Sequence, residues 1–307
     1  MRRRFTVAII SAVGIAAWVW FYPEPPPGAL PATLSSVIEL PDDQEWMGGF
    51  SGIEVDATGT AFHVVTDRGQ IVKGSLSRQG GKLSQVAFEA HQPLVDKDGL
   101  VQKFPHTDAE GLAVDTQGRT FVSFEFAHRV LFYDTWESDA RWPSYTRSWR
   151  AFANNQGLEA LAISGDGTLF TIPEKINNGA SESLVYRRSP TGPWTQPFTL
   201  PVDQNYKPVG ADFGPDGRLY ILERGLYPFG FYSRVRTMAV SDQGFEDIQT
   251  VLQTHLGAHG NLEGITVWRD PSGFITLTMV SDNNFLPFSR SQIVEYVLQD
   301  GVASSAK

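Results

Sequence analysis

Five times between residues 50 and 298 the chain repeats one local figure: an apolar strand, a turn built on Gly and Asp, and a second apolar strand. The openings read "FSGIEVDATGTAFHVVTDRG", "AEGLAVDTQGRTFVSFEFAH", "LEALAISGDGTLFTIPEK", "VGADFGPDGRLYILERG" and "LEGITVWRDPSGFITLTMVSDNN". Alternation at period two predicts strands, not helices. The turns "DATGT", "DTQGR", "SGDGT", "GPDGR" and "RDPSG" carry hairpin chemistry. A third strand follows in every unit: "QIVKGSL", "RVLFYDT", "SLVYRRS", "RVRTMAV" and "QIVEYVL". Four units add a fourth: "LSQVAFEA", "YTRSWRAF", "WTQPFTL" and "FEDIQTVL". Such units cannot bury their own faces and must stack, and a period of roughly 50–60 residues belongs to propeller blades.

The fifth unit runs out of chain after its third strand, and "LSSVIEL" (34–40) supplies a spare strand at the other end. The expected fold is therefore all-β: a β-propeller of four-stranded antiparallel blades, its ring closed by 34–40 pairing with 292–298. Five blades are counted. A sixth would have to come from the long first unit, around "HQPLVDKDGLVQKFPH". The propeller domain is set at 34–300, with 301–307 a disordered tail.

The residues before it read differently. "MRRRF" is a basic flank, and 5–22 is an uncharged, apolar run at the lower limit for a membrane-spanning helix. Residues 1–22 are read as a signal or anchor segment, and the Pro-rich 23–33 as an extended linker. Arginines on the N-terminal side keep that end in the cytoplasm and send the rest across the inner membrane. The expected location is periplasmic, anchored through 5–22, with secretion after signal cleavage as the alternative.

Hydrophobic residues make up 41% of the chain and charged ones 19%, enough for a large core. The net charge of −9 argues against nucleic acid as the main partner. The chain has no cysteine, which excludes disulfides, thiolate metal sites and a lipidated cysteine.

Acids recur at fixed places. Glu110, Glu159 and Glu263 open first strands, where units one and four have Ser51 and Val209. Second strands end in Asp67, Glu125, Glu174, Glu223 and Asp282. In an antiparallel blade both places lie at the same end, so the eight acids should gather at one mouth. Asp108, Asn155 and Asn261 add oxygens beside the glutamates, and Arg68, Lys175 and Arg224 directly follow three of the acids. Crowded carboxylates need a metal, protons, or Arg and Lys to offset them. Oxygen ligands of this kind suit Ca²⁺ or Mg²⁺. The expected metal set is Glu110, Glu159, Glu263, Asp67, Asp282 and Asn261, with the first three glutamates also the catalytic candidates. The competing reading is that each acid accepts backbone N–H bonds or pairs with a neighbouring blade's Arg. Two aromatic loops, 224–234 and 283–291, are expected either to wall a ligand cleft on this face or to pack on each other and cover the channel. His106 and His128 are best read as ordinary loop residues. No nucleophile elbow, phosphate-binding glycine loop or zinc-protease motif is present.

The segments "GGFSGIEVD…VVTDRG", "DAEGLAVD…FVSFE", "NQGLEALAIS…DGTLF", "DFGPDGRLYILER" and "NLEGITV…LTMVSDNNF" resemble the bacterial phytase-like family described as having esterase-like activity of phytase, over about residues 48–298. The resemblance implies an exported propeller that hydrolyses phosphate or other esters with a divalent metal, calcium by analogy with β-propeller phytases. Arg68, Lys175 and Arg224, with the Asn283–Asn284 pair, would then meet a small-molecule substrate. Two alternatives stand beside it: a lactonase-like propeller with one divalent ion, and a non-catalytic binding or scaffold propeller tethered to the envelope.

The location can be tested directly. Protease added to spheroplasts should digest 33–307 or release it from the membrane; full protection of the chain would show the orientation to be wrong.

Overall fold

A computed structural model describes residues 30–141, 143–152, 157–174, 179–228, 230–285 and 289–298. The expected anchor, most of the linker and the C-terminal tail lie outside the described residues. No helix among those described is long and apolar enough to cross a membrane.

Strand β1 (Ala32–Glu39) comes first. Blade one is then β2 (Phe50–Val55), β3 (Ala61–Thr66), β4 (Gln70–Gln79) and β5 (Lys82–Pro93). Blade two holds β6 (Ala109–Val114), β7 (Thr120–Phe124) and β8 (Arg129–Tyr133). Blade three has β9 (Leu158–Ile163), β10 (Leu169–Pro173), β11 (Glu182–Arg188) and β12 (Thr195–Pro201). Blade four has β13 (Lys207–Phe213), β14 (Leu219–Tyr227), β15 (Gly230–Ser241) and β16 (Gly244–Gln253). Blade five has β17 (Asn261–Arg269), β18 (Ile275–Asp282) and β19 (Gln292–Leu298), and β1 completes it.

All pairings are antiparallel, and the first strand of each blade touches the first strands of its two neighbours. The five innermost strands β2, β6, β9, β13 and β17 thus form a closed ring. Closure occurs as expected, with β1 paired to β19 from Ala32↔Leu298 to Glu39↔Gln292, beginning two residues earlier than the sequence suggested. Arg78 of β4 adds a bidentate bond, at 2.7 Å each, to buried Glu295 of β19, tying blade one to blade five.

The core is divided into five wedges, each between consecutive blades. Val65, Leu112 and Phe124 fill the wedge between blades one and two. Val209, Leu222, Ile265 and Met279 fill that between four and five. Within each blade the first hairpin turns on a glycine with φ between 72° and 89°, at Gly59, Gly118, Gly167, Gly217 and Gly273. That left-handed geometry is why the repeat keeps Gly there. An acid at the head of the turn accepts its free N–H groups: Asp56 from Thr60 and Ala61, Asp270 from Ser272 and Phe274.

Three expectations need correcting. "YTRSWRAF" is not a regular fourth strand: Arg147–Ala151 form a 3₁₀ turn, and the edge of β8 meets only the bridges Val130↔Ser144 and Tyr133↔Ala140. Buried Trp149 is drawn into the wedge against Tyr186 and Trp194, with ring centroids 5.6 and 5.1 Å away, and Pro143 has no N–H for a ladder. Among the described residues there is no sixth blade. Residues 91–106 prolong β5 and fold back through Val95↔Val101, with Tyr133 Oη donating to the Val95 carbonyl at 3.2 Å. Finally, 224–234 is not a loop. β14 and β15 run on as a hairpin to Tyr227↔Gly230, because alternation continues through those residues.

Gly264 shows how tight the ring is. A Cβ there would lie 2.7 Å from the Ser51 carbonyl oxygen and 2.9 Å from Ile53 N. Gly264→Ala should lower stability by about 1–3 kcal/mol in a denaturant melt. Gly165→Ala, which meets nothing within 4 Å, should leave it unchanged.

Candidate functional site

Each inner strand carries a bulge at the same place. The register against the second strand skips Ser51 in β2, Glu159 in β9, Val209 in β13 and Glu263 in β17. In β6 it breaks across Glu110 and Gly111, where the Gly111 N–H is satisfied by Ser123 Oγ at 2.9 Å. A bulge leaves one residue out of the ladder and re-aims its side chain. Here the residues left out are those that open the repeat. Ser51, Glu110, Val209 and Glu263 line a void of only ≈ 10 Å³ at the axis. The glycine after four of the five permits this approach; a Cβ on Gly111 would sit 2.6 Å from the Glu159 carbonyl oxygen.

The recurring Glu is thus a bulge residue, and the three do converge. Burial, and then Glu159, Glu263, Asp108 and Glu125, hold the Glu110 carboxyl well above its usual range. Burial and then Glu174 do the same to Glu159, against the pull of Arg224. Glu263 is pushed up to about 8 by burial, although Arg224 favours its charged form.

The second-strand acids divide. Asp67, Glu125 and Asp282 join the ring. Asp67 is pushed up to about 7 by burial, then by Asp282 and Asp108, and its buried Oδ1 has no hydrogen-bond partner. Glu125 rises to about 7 through burial, while its Oε1 accepts the Gly157 N–H at 2.8 Å. Burial raises Asp282 too, against N–H bonds from Asn284, Gly49 and Asn283. Glu223 does not join: it is fully buried and held by Arg234 and Arg236 at 2.6–2.8 Å, so its charge is spent inside blade four. That acid is ion-paired, but to arginines of its own blade, not of a neighbouring blade.

Arg224 is the cation of the mouth. It donates to Asn261 Oδ1 and Glu174 Oε1, each at 2.9 Å, and to Glu263 Oε1. Burial works against its charge, but Glu263, Glu159 and Glu174 together raise its pKa further. Lys207, the first residue of β13, adds an ion pair to Glu174 at 3.0 Å, and no spacing signalled it. Arg68 lies at the rim, its guanidinium 3.4 Å from the Phe285 ring centroid and donating to the Glu45 carbonyl at 3.2 Å. Asn283 is buried and caps Phe285 N at 3.0 Å, while Asn284 is exposed with φ 49°. Lys175, Asn155, Phe229 and Phe288 lie outside the described residues.

The ring therefore has two unlike halves. On one side Glu263, Glu174 and Asn261 share the Arg224 guanidinium. On the other, Asp108, Glu110 and Glu125 bring oxygens within 4.8 Å of one another. Burial raises Asp108 to about 6. Two oxygens bound to one Ca²⁺ at ~2.4 Å lie at most ~4.8 Å apart, so this trio fits an ion of that size. Of the six residues expected as ligands, Glu110 alone belongs to it. Asp108 and Glu125 were legible as neighbouring oxygens, in "DAEG" and "VSFE", but their closeness to Glu110 was not.

A family model described as phytase-like, esterase-like activity of phytase, matches residues 45–285. No curated protein matches. Among solved structures, an α-L-arabinofuranosidase from Podospora anserina is similar at 10% identity and TM-score 0.55, over 87% of this chain and 98% of its own. The catalytic domain of an α-L-arabinofuranosidase from Coprinopsis cinerea gives 10% identity and TM-score 0.54, over 87% and 97%. At such identities the likeness is one of fold.

Raised carboxyl pKa values set the direction of pH dependence. Each such group keeps its proton in the fold where the unfolded chain has lost it. Its contribution is full below about pH 4 and disappears as pH rises through the folded value. Without divalent ions, the melting temperature should therefore fall through about 6 (Asp108), 7 (Asp67, Glu125) and 8 (Glu263). Calorimetry across that range checks it, and Asp67→Asn should flatten the slope.

Proposed function

Since the chain belongs to the phytase-like family described by esterase-like activity, we propose that its acidic mouth hydrolyses phosphate esters or other small esters with one divalent ion, calcium foremost, at Asp108, Glu110 and Glu125. The observation that carries this reading is the pairing of a tight carboxyl trio with a fixed guanidinium across the ring. An ion bound at the trio would supply an electrophile for a substrate oxygen and acidify a water.

The other roles belong to the chain. Arg224 is held from three directions, so its positive charge is pre-positioned for a developing oxyanion and needs no reorganisation. Glu159 has no ion pair among the described residues and lies within the field of Arg224, which makes it the general base. Arg68 extends the positive charge to the rim, where an entering phosphate would pass. Asp282 bonds to the backbone at Gly49, Asn283 and Asn284 and fixes the loop that carries Phe285 beneath Arg68. A non-catalytic scaffold is the second reading. It draws on the same Arg224, whose bonds to Glu263, Glu174 and Asn261 leave little of it for a ligand.

Chelation should lower the melting temperature and calcium restore it, by about 2.7 kcal/mol at a hundredfold excess over the dissociation constant. Glu110→Gln should abolish that response. Turnover of 4-nitrophenyl phosphate or 4-nitrophenyl acetate should follow metal and be lost in Glu159→Gln. If chelation moves neither melting nor turnover, the scaffold reading leads.

A further inference from the structure

At the opposite end of the axis lies a cavity of ≈ 890 Å³, within the range of small-molecule pockets. The inner strands leave a void of only ≈ 10 Å³ between the two ends, so this is a separate mouth. Among its lining residues are Glu54 of β2, Asp212 of β13 and Thr266 of β17. Ala113 and Ala162 hold the equivalent places in blades two and three.

The three polar residues share one structural task. Thr266 Oγ1 accepts the Val55 N–H at 3.3 Å, Asp212 Oδ2 accepts that of Val267 at 2.6 Å, and Glu54 accepts that of Val114. Each bond staples one inner strand to the next. Thr266 does this without a charge, and two blades with alanine omit it, so stapling alone does not call for two acids.

Those acids also lack what three other buried acids have, and the buried acids left unpaired elsewhere among the described residues, Glu125, Glu159 and Asp282, all belong to the acidic mouth. Glu174, Glu223 and Glu295 each pair with Arg or Lys. Among the described residues no basic group forms an ion pair with Glu54 or Asp212, although Asp212 is only 8% exposed. The Thr266 hydroxyl donates to Glu54 at 3.3 Å, and Asp212 holds the N–H of the next residue, Val267, so the two carboxyls flank Thr266. Burial first, and then Asp212, raise Glu54 well above its usual range, and burial raises Asp212 to about 7. Around them Val114 and Phe213 offer half-buried apolar surface, and Asp115, Asp166 and Asp242 outnumber Arg187 and Arg269.

We propose that this second mouth binds a small organic cation, a primary amine whose ammonium lodges between the Glu54 and Asp212 carboxylates while its hydrocarbon lies against Val114 and Phe213. An ammonium supplies three donors and the missing positive charge in one group. The surrounding acids disfavour phosphate here, so the site is chemically the reverse of the Arg224 mouth and independent of its reading.

The test is an NMR titration of the full chain at neutral pH with butylamine, using butanol and inorganic phosphate as controls. Saturable shifts at the amides of Val114, Thr266 and Val267 are expected with butylamine only. Glu54→Gln and Asp212→Asn keep an oxygen for the backbone staple and should each weaken binding about tenfold or more. Glu110→Gln should not. Absence of saturable shifts, equal shifts from butanol, or unchanged binding in both variants would overturn the proposal. If a variant loses its folded spectrum, the comparison of butylamine with butanol on the native chain decides.

Discussion

Backbone-to-backbone contact between neighbouring inner strands is the constraint on which everything else rests. Gly52, Gly111, Gly210 and Gly264 each sit where a Cβ would fall within 2.6–2.7 Å of backbone atoms in the adjacent blade. Such contact leaves no room at the axis for side chains from the ladder itself. The bulge resolves the conflict by lifting one residue per strand out of the pairing. Five strands meeting this way turn a repeated dipeptide into a ring, and a ring into a mouth.

Electrostatics follows from that geometry. Carboxyls brought together by packing cannot spread apart, so their repulsion is met by whatever the blade alongside supplies. Blade four meets it with Arg224, which faces blades three and five at once through Glu174 and Glu263. Blade two has no comparable cation among the described residues, and there the Asp108, Glu110 and Glu125 oxygens crowd together. The asymmetry arises from the sequence of single blades, not from the repeat.

Much of this was legible in the chain. Period-two alternation and five Gly turns fixed the strands, and the missing strand of the fifth unit identified "LSSVIEL" as its closure. What the pattern could not convey was burial between blades. Trp149 sits in a stretch that alternates like a strand, yet its ring is worth more in the wedge than the ladder is to Pro143 and its neighbours. Glu223 occupies the same repeat position as Glu125 and Glu174, and only the arginines on the adjacent strand β15, at 234 and 236, decide that it serves the fold. The pairing of Glu54 with Asp212 was invisible, because those residues lie far apart in the chain and meet only once the ring is shut.

The closing strand decides at which face the described ring begins and ends. Ala32 lies opposite Leu298 at the far end of blade five from Asn261 and Asp282. Both ends of the ring therefore leave from one rim, side by side, on the face away from the acidic mouth. The two ends of the described ring thus share a face with the Glu54 and Asp212 cavity, and the Arg224 mouth has the other face to itself.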